Sequence, residues 1–275
     1  MKILQSLFNF YLQSSMHVAL AVFSLLQMTL HMFDIHNDTY CGYFAFFGTI
    51  VGYNFVKYDA LTRNKGLKVT PMIKAIVILT IISFAATTYF FFKLKIQTQL
   101  VSFAVLILVL LYTLPFFPNR RNARNWAGVK IYIVALCWVG VTLLLPLLNA
   151  EVAFRMDVFY KSLQRFILVF VLILVFEIID LANDDPHLQT VPQQIGVRAT
   201  KLLGTFLLIP FYFLEYLKTV LNYEQLIINL VLIVVLGLFL LNASHSKSRY
   251  YTSFWVESVP IFWWLMVLFT HYYVG

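Results

Sequence analysis

Residues 162–185 read SLQRFILVFVLILVFEIIDLANDD. From Phe166 to Phe176 every side chain is apolar, and the run is closed by Glu177, Asp180, Asp184 and Asp185. Apolar positions here do not alternate with polar ones, as they would over about 10 residues of a membrane barrel strand. A lipid-facing segment must pair its amides and carbonyls internally, which a continuous apolar run can do only as a helix. Crossing a hydrocarbon core of about 30 Å takes roughly 20 such residues. The stretch predicts a transmembrane helix that carries acids at one end.

The rest of the chain follows the same pattern. Hydrophobic residues make up 61% of its 275 residues and charged residues 12%. The mean hydropathy is +0.82, which assigns lipid as the solvent for most of the surface. Nine apolar runs qualify as spans: 6–31, 39–57, 71–92, 97–115, 129–148, 162–182, 200–219, 225–242 and 253–272. The expected fold class is all-α, an integral membrane bundle of about nine transmembrane helices forming one domain over 1–275. Its polar connections are 58–70, 116–128 and 183–199. The first run is long, contains Gln13 and His17 and lacks a small-residue cleavage signature, so it is expected to be retained. Cys41 and Cys137 both fall within predicted spans, where they read as packing residues and not as a disulfide framework or zinc site.

A net charge of +8 in such a chain reports orientation before it suggests nucleic acid, and no nucleic-acid partner is expected. With the N-terminus inside, six of the twenty Lys and Arg residues fall on the outer side: Lys93, Lys95, Arg155, Lys161, Arg165 and Lys218. The other fourteen fall on the inner side. The bias predicts a cytoplasmic N-terminus and, with an odd helix count, a C-terminus outside. Without a transit peptide, a bacterial inner membrane is the expected location.

Acids at membrane depth are costly and are functional candidates by default. Glu177, Asp180 and Asp184 stand at i, i+3 and i+7, on one helical face if the helix continues that far. Oxygen-only clusters suit a hard cation, and Mg²⁺ commonly joins one or two carboxylates to substrate phosphates. The pattern favours a diphosphate site. The alternative is that Asp184 and Asp185 cap and solvate a loop, which leaves Glu177 unexplained.

Two further segments end predicted spans on the inner side. Tyr112-Thr113-Leu114-Pro115-Phe116-Phe117-Pro118-Asn119-Arg120-Arg121, followed by Arg124 and Lys130, offers guanidinium forks that match phosphate oxygens. Its alternative reading is a positive-inside anchor. Gly52-Tyr53-Asn54-Phe55-Val56-Lys57-Tyr58-Asp59 offers the oxygens of Asn54 and Asp59 to a metal. Alternatively Asn54 hydrogen-bonds a neighbouring helix while Lys57 snorkels to the interface. On the opposite side, His31, Asp34, His36 and Asp38 have spacing that could hold a transition metal, but read better as a solvated turn. Tyr250, Tyr251, Trp255, Trp263 and Trp264 read as interfacial or lipid-facing residues, some of which could line an isoprenoid tunnel.

Along its whole length this pattern resembles the UbiA family of intramembrane prenyltransferases, nine-helix bundles with acidic motifs at the cytoplasmic ends of the second and sixth helices. The segment Glu177-x-x-Asp180-x-x-x-Asp184-Asp185, with Thr190-Val191-Pro192-Gln193-Gln194-Ile195-Gly196 downstream, is similar to the family's second motif and its "T-x-P-x-x-x-G" stretch. Tyr112 to Arg121 resembles its "Y-S-x-P" loop, and Glu257 and Pro260 loosely resemble an acid ahead of a proline-bearing last helix. The resemblance implies Mg²⁺ held by Glu177, Asp180, Asp184 and Asn54. It implies a prenyl diphosphate near Lys57, Tyr112, Arg120, Arg121, Lys130 and Asp185, and a lipophilic acceptor, aromatic ones included, within the membrane.

The first motif departs from the family. Its asparagine, Asn54, should be followed four and eight residues later by aspartates, but those positions are Tyr58 and Thr62. Asp59 is one residue out of register, about 100° around a helix, and the second motif opens with Glu in place of the usual Asp. Two function classes follow: a Mg²⁺-dependent prenyltransferase, and a non-catalytic isoprenoid- or lipid-binding protein that has kept the bundle. A transporter would carry paired interrupted helices or internal symmetry, and neither is visible.

Overall fold

Thr70 ends the connection before the fourth long helix, where its side chain accepts a hydrogen bond from Ile73 N–H at 3.3 Å and Pro71 occupies the first turn. Such local signals recur in the computed structural model, which describes residues 2–36, 38–65, 70–114, 128–182, 184 and 188–273. Among these residues the elements are helical: α1 (Lys2–Gln13), α2 (Met16–Met32), α3 (Thr39–Lys65), α4 (Pro71–Phe91), α5 (Ile96–Thr113), α6 (Val129–Val139), α7 (Leu145–Asn149), α8 (Met156–Asp180), α9 (Val191–Phe213), α10 (Tyr223–Asn242) and α11 (Val259–Tyr273). The class is all-α, as the sequence predicts. Among the described residues seven helical rods are long and apolar enough to cross a membrane, or eight if α1 and α2, bent by 56°, count as one span. α3 has the length but, with its tyrosines, glycines and Asn54, falls short of the apolar composition that marks the others.

The chain divides into two compact units, one of residues 1–114 and 140–152, the other of 115–139 and 153–275. In the first, α2 is the core helix: Ala19, Ala21, Leu25, Leu26 and Met28 are completely buried. α4 buries only Ile76 and Ser83, while Val77, Ile78, Ile81, Ile82 and Phe84 are exposed. That large apolar surface is stable only against lipid. The short rod that ends in α7 passes through a π-helical segment, Gly140–Leu144, just before Pro146. Pro146 has no N–H to give the Thr142 carbonyl four residues back, and Thr29 Oγ1 on α2 donates to that carbonyl at 2.6 Å.

In the second unit α8 is the core, buried almost continuously from Ile167 to Ile179. α9 crosses close to α8 and α10 at Gly204, where an added Cβ would lie 2.5 Å from Leu240 Cδ2 and 3.3 Å from Leu174 Cδ1. Near the N-terminal end of α8, Lys161 Nζ donates to Glu215 Oε2 at 2.6 Å and to Gln164 Oε1 at 2.9 Å. Gln164, Lys218 and Asn229 also donate to Glu215. This buried network was not anticipated from the sequence, which placed Lys161, Arg165 and Lys218 on the outer side only as charges. Lys161 and Arg165 are only 3% and 2% exposed, and the Arg165 guanidinium lies over the Trp263 ring.

Candidate functional site

The last turn of α8 brings its acids to one place because the chain bends back beyond it. Asp184 N–H donates to Asp180 O at 2.9 Å, so the helical turn continues past Asp180. The chain then turns into α9, where Gln193 Oε1 accepts from Thr190 N–H at 2.9 Å and Pro192 fits the first turn. Gly196, at φ 80° and ψ 158°, breaks α9 in a region of backbone space open essentially to glycine alone. The Thr190, Pro192 and Gly196 pattern thus shapes backbone. It aims the Val191 N–H at Glu177 Oε2, 3.0 Å away.

Glu177 is only 3% exposed. Its other oxygen, Oε1, lies 3.4 Å from Lys130 Nζ at the start of α6. The same ammonium stands 3.8 Å from Asp184 Oδ2, a buried oxygen with no hydrogen-bond partner among the described residues. Two carboxylates on α8 and its extension therefore converge on one cationic centre. Asp180 is exposed, within electrostatic reach of Lys130 and Arg249. Arg249 joins the site without having been singled out from the sequence, where it was one of fourteen inner-side charges with no motif around it. Among the described residues no three His, Cys, Asp or Glu side chains gather as a ready metal group.

The other predicted site residues of the described chain lie in the first unit. Asn54, on α3, is 3% exposed; its Oδ1 accepts from Ser15 Oγ at 2.8 Å and its Nδ2 donates to Thr80 Oγ1 at 2.9 Å. That matches the helix-to-helix alternative for Asn54. Lys57 Nζ donates to the Gln13 carbonyl at 2.9 Å and Tyr58 Oη to the same carbonyl at 3.1 Å. Tyr112 is half-buried in the last turn of α5. Arg120, Arg121 and Asp185 lie outside the described residues.

On the loop before α3, His36 and Asp34 pair at 3.7 Å and are both well exposed, whereas Asp38 turns inward. Its Oδ1 accepts from Cys41 N–H at 3.2 Å, capping α3, and from Asn149 Nδ2 at 2.9 Å. His31 stands in the last turn of α2 and Asp38 is buried as a cap, so the solvated turn holds Asp34 and His36 and not all four residues.

No family model matches the chain, and no curated protein does. Among solved structures, that of a digeranylgeranylglyceryl phosphate synthase in membranes is similar over 96% of this chain and 96% of its own, with a TM-score of 0.57 at 13% identity. At that identity the likeness is one of fold. The chain is an integral membrane protein with the all-helical fold of a membrane prenyltransferase.

Proposed function

We propose that the protein is an intramembrane prenyltransferase that moves an isoprenoid from a prenyl diphosphate to a lipophilic acceptor, aromatic acceptors included, with Mg²⁺. The observation that carries this reading is the convergence of Glu177 Oε1 and Asp184 Oδ2 on one cationic centre, in a fold like that of a solved prenyltransferase. The donor chemistry fits a hard ion: Asp184 Oδ2 is buried and has no hydrogen-bond partner among the described residues, its contact with Lys130 being an ion pair at 3.8 Å, and carboxylates with substrate oxygens are the usual company of Mg²⁺. Glu177, Asp180 and Asp184 would hold it, and it would supply neutralising charge to the departing diphosphate.

The remaining chemistry belongs to the chain's own side chains. In the transfer, the carbon–oxygen bond to diphosphate breaks with its electron pair leaving on diphosphate. The allylic carbon bonds to the acceptor, and the acceptor gives up a proton. Lys130 and Arg249 are positioned beside the acids to donate to diphosphate oxygens, and Arg120, Arg121 and Asp185 are assigned to the same task from the sequence. The Val191 N–H holds Glu177 in its orientation. By charge bias, the N-terminus is assigned to the cytoplasm and the C-terminus to the outside.

Purified protein in nanodiscs, given Mg²⁺, an acceptor pool and radiolabelled prenyl diphosphates of increasing chain length, is expected to release diphosphate, and Glu177→Gln to abolish release. Protein that neither binds nor consumes any of these donors overturns the reading. A second reading, isoprenoid binding without transfer, is favoured by one observation: Asn54 and Lys57 of the departed first motif are engaged with Ser15, Thr80 and Gln13. Saturable binding of a prenyl diphosphate with no product would decide for it.

A further inference from the structure

The first 13 residues are set apart from the span that follows them. Lys2, Gln5, Ser6, Asn9 and Gln13 recur every three or four residues and fall within an arc of about 100° at 100° per residue. Ile3, Leu4, Leu7, Phe8, Phe10, Tyr11 and Leu12 fill the remainder. Ile3, Leu4 and Leu7 are 79%, 74% and 61% exposed. This is the pattern of a helix made for a boundary between water and oil.

Length points the same way. α2, with 17 residues, is about 26 Å long, near the lower limit for crossing a core of about 30 Å. Adding α1 would bring the rod to about 44 Å, well beyond that thickness. One of the two segments must leave the core, and the chain bends by 56° between them.

The bend is held by α3. Ser15 adopts φ 63°, a left-handed conformation costing a non-glycine residue about 1–2 kcal/mol, and its hydroxyl is tied to Asn54 Oδ1 at 2.8 Å. Gln13, the last residue of α1, exposes a carbonyl that the helix itself cannot satisfy. Lys57 Nζ and Tyr58 Oη both donate to it, and the ammonium also suits the negative end of the α1 dipole. Across the bend, Tyr11 Oη and His17 Nδ1 share a hydrogen bond at 2.8 Å.

We propose that α1 lies in the headgroup region of the bilayer, with Ile3, Leu4 and Leu7 in the acyl boundary, and that Asn54, Lys57 and Tyr58 are the clamp that sets it there. The occupant of its apolar face is lipid, because α4, which packs beside α1 in the same unit, exposes Val77, Ile78, Ile81 and Ile82, a surface stable only against lipid. Tyr58, at the position where an aspartate would continue the first acidic motif, thereby serves to dock a helix. This inference does not depend on prenyl transfer.

Nitroxide labels on single cysteines, in a Cys41→Ala, Cys137→Ala background reconstituted in liposomes, test it. Labels at positions 3, 4 and 7 are expected to meet oxygen several-fold more readily than an aqueous nickel chelate, at interfacial depth, and labels at 5 and 6 the reverse. Bilayer-centre depth at all five positions, uniform access to nickel, or exclusion of both probes by a partner chain overturns the proposal. Combining Lys57→Met with Tyr58→Phe is expected to increase the mobility of the label at position 7 while a label at Ile81 on α4 stays unchanged. If the Ile81 label loosens as well, Tyr58→Phe alone is read instead; unchanged mobility at position 7 removes the clamp.

Discussion

Lys130 is the residue on which the candidate site turns, because it is the counter-ion shared by Glu177 and Asp184. Removing it leaves a nearly buried carboxylate uncompensated, which typically costs about 3–5 kcal/mol. Lys130→Met is therefore expected to lower the thermal midpoint in detergent, and Mg²⁺ is expected to restore part of the loss if the acids accept the ion in its place. Asp38 carries a different sensitivity. Burial raises its carboxyl above the ordinary carboxylate range, against hydrogen bonds from Asn149 and the Cys41 backbone that pull it down. A carboxyl raised on folding contributes its stability fully below the unfolded value of about 3.9 and loses it as pH climbs through the higher folded value. Midpoints measured upward from pH 4 should fall by this contribution in the wild type, and Asp38→Asn should lack that part of the decline.

At the scale of elements, prolines and glycines set the irregularities, and polar side chains repair them. The Thr142 carbonyl, which can receive nothing from Pro146, accepts from Thr29 Oγ1, so Thr29→Val removes a buried hydrogen bond at about 0.5–1.5 kcal/mol. A thermal midpoint indistinguishable from wild type would show that another donor serves that carbonyl. The network joining α8, the turn that ends α9, and α10 is denser. Glu215, completely buried, accepts from Lys161, Lys218, Gln164 and Asn229. Glu215→Ala leaves Lys161 charged and buried, a loss of about 3–5 kcal/mol. Replacing Lys161 by Met in the same protein should recover part of it in the same unfolding assay, since the pair and not either charge is what the interior tolerates.

At the scale of the whole molecule, burial removes charges from the set that can report orientation. Of the six charges assigned to the outer side, Lys161 and Arg165 lie inside the protein, so four of those six remain to mark a face. The topology that follows predicts that a membrane-impermeant maleimide labels Glu151→Cys in intact cells, and Ser246→Cys only after permeabilisation. The sequence by itself determined the solvent, the helical class and the acidic end of α8, since each depends on local composition and spacing that lipid and the 3.6-residue period make decisive. It also marked Gly196 and Pro192, whose backbone roles are local. Only the tertiary structure decided what those groups face: Lys130 between Glu177 and Asp184, Asn54 against a serine 39 residues away, Lys161 on Glu215 54 residues away. A side chain's period states which helical face it occupies. Its partner is set by how helices pack, where a hydrogen bond is won or lost over less than an ångström.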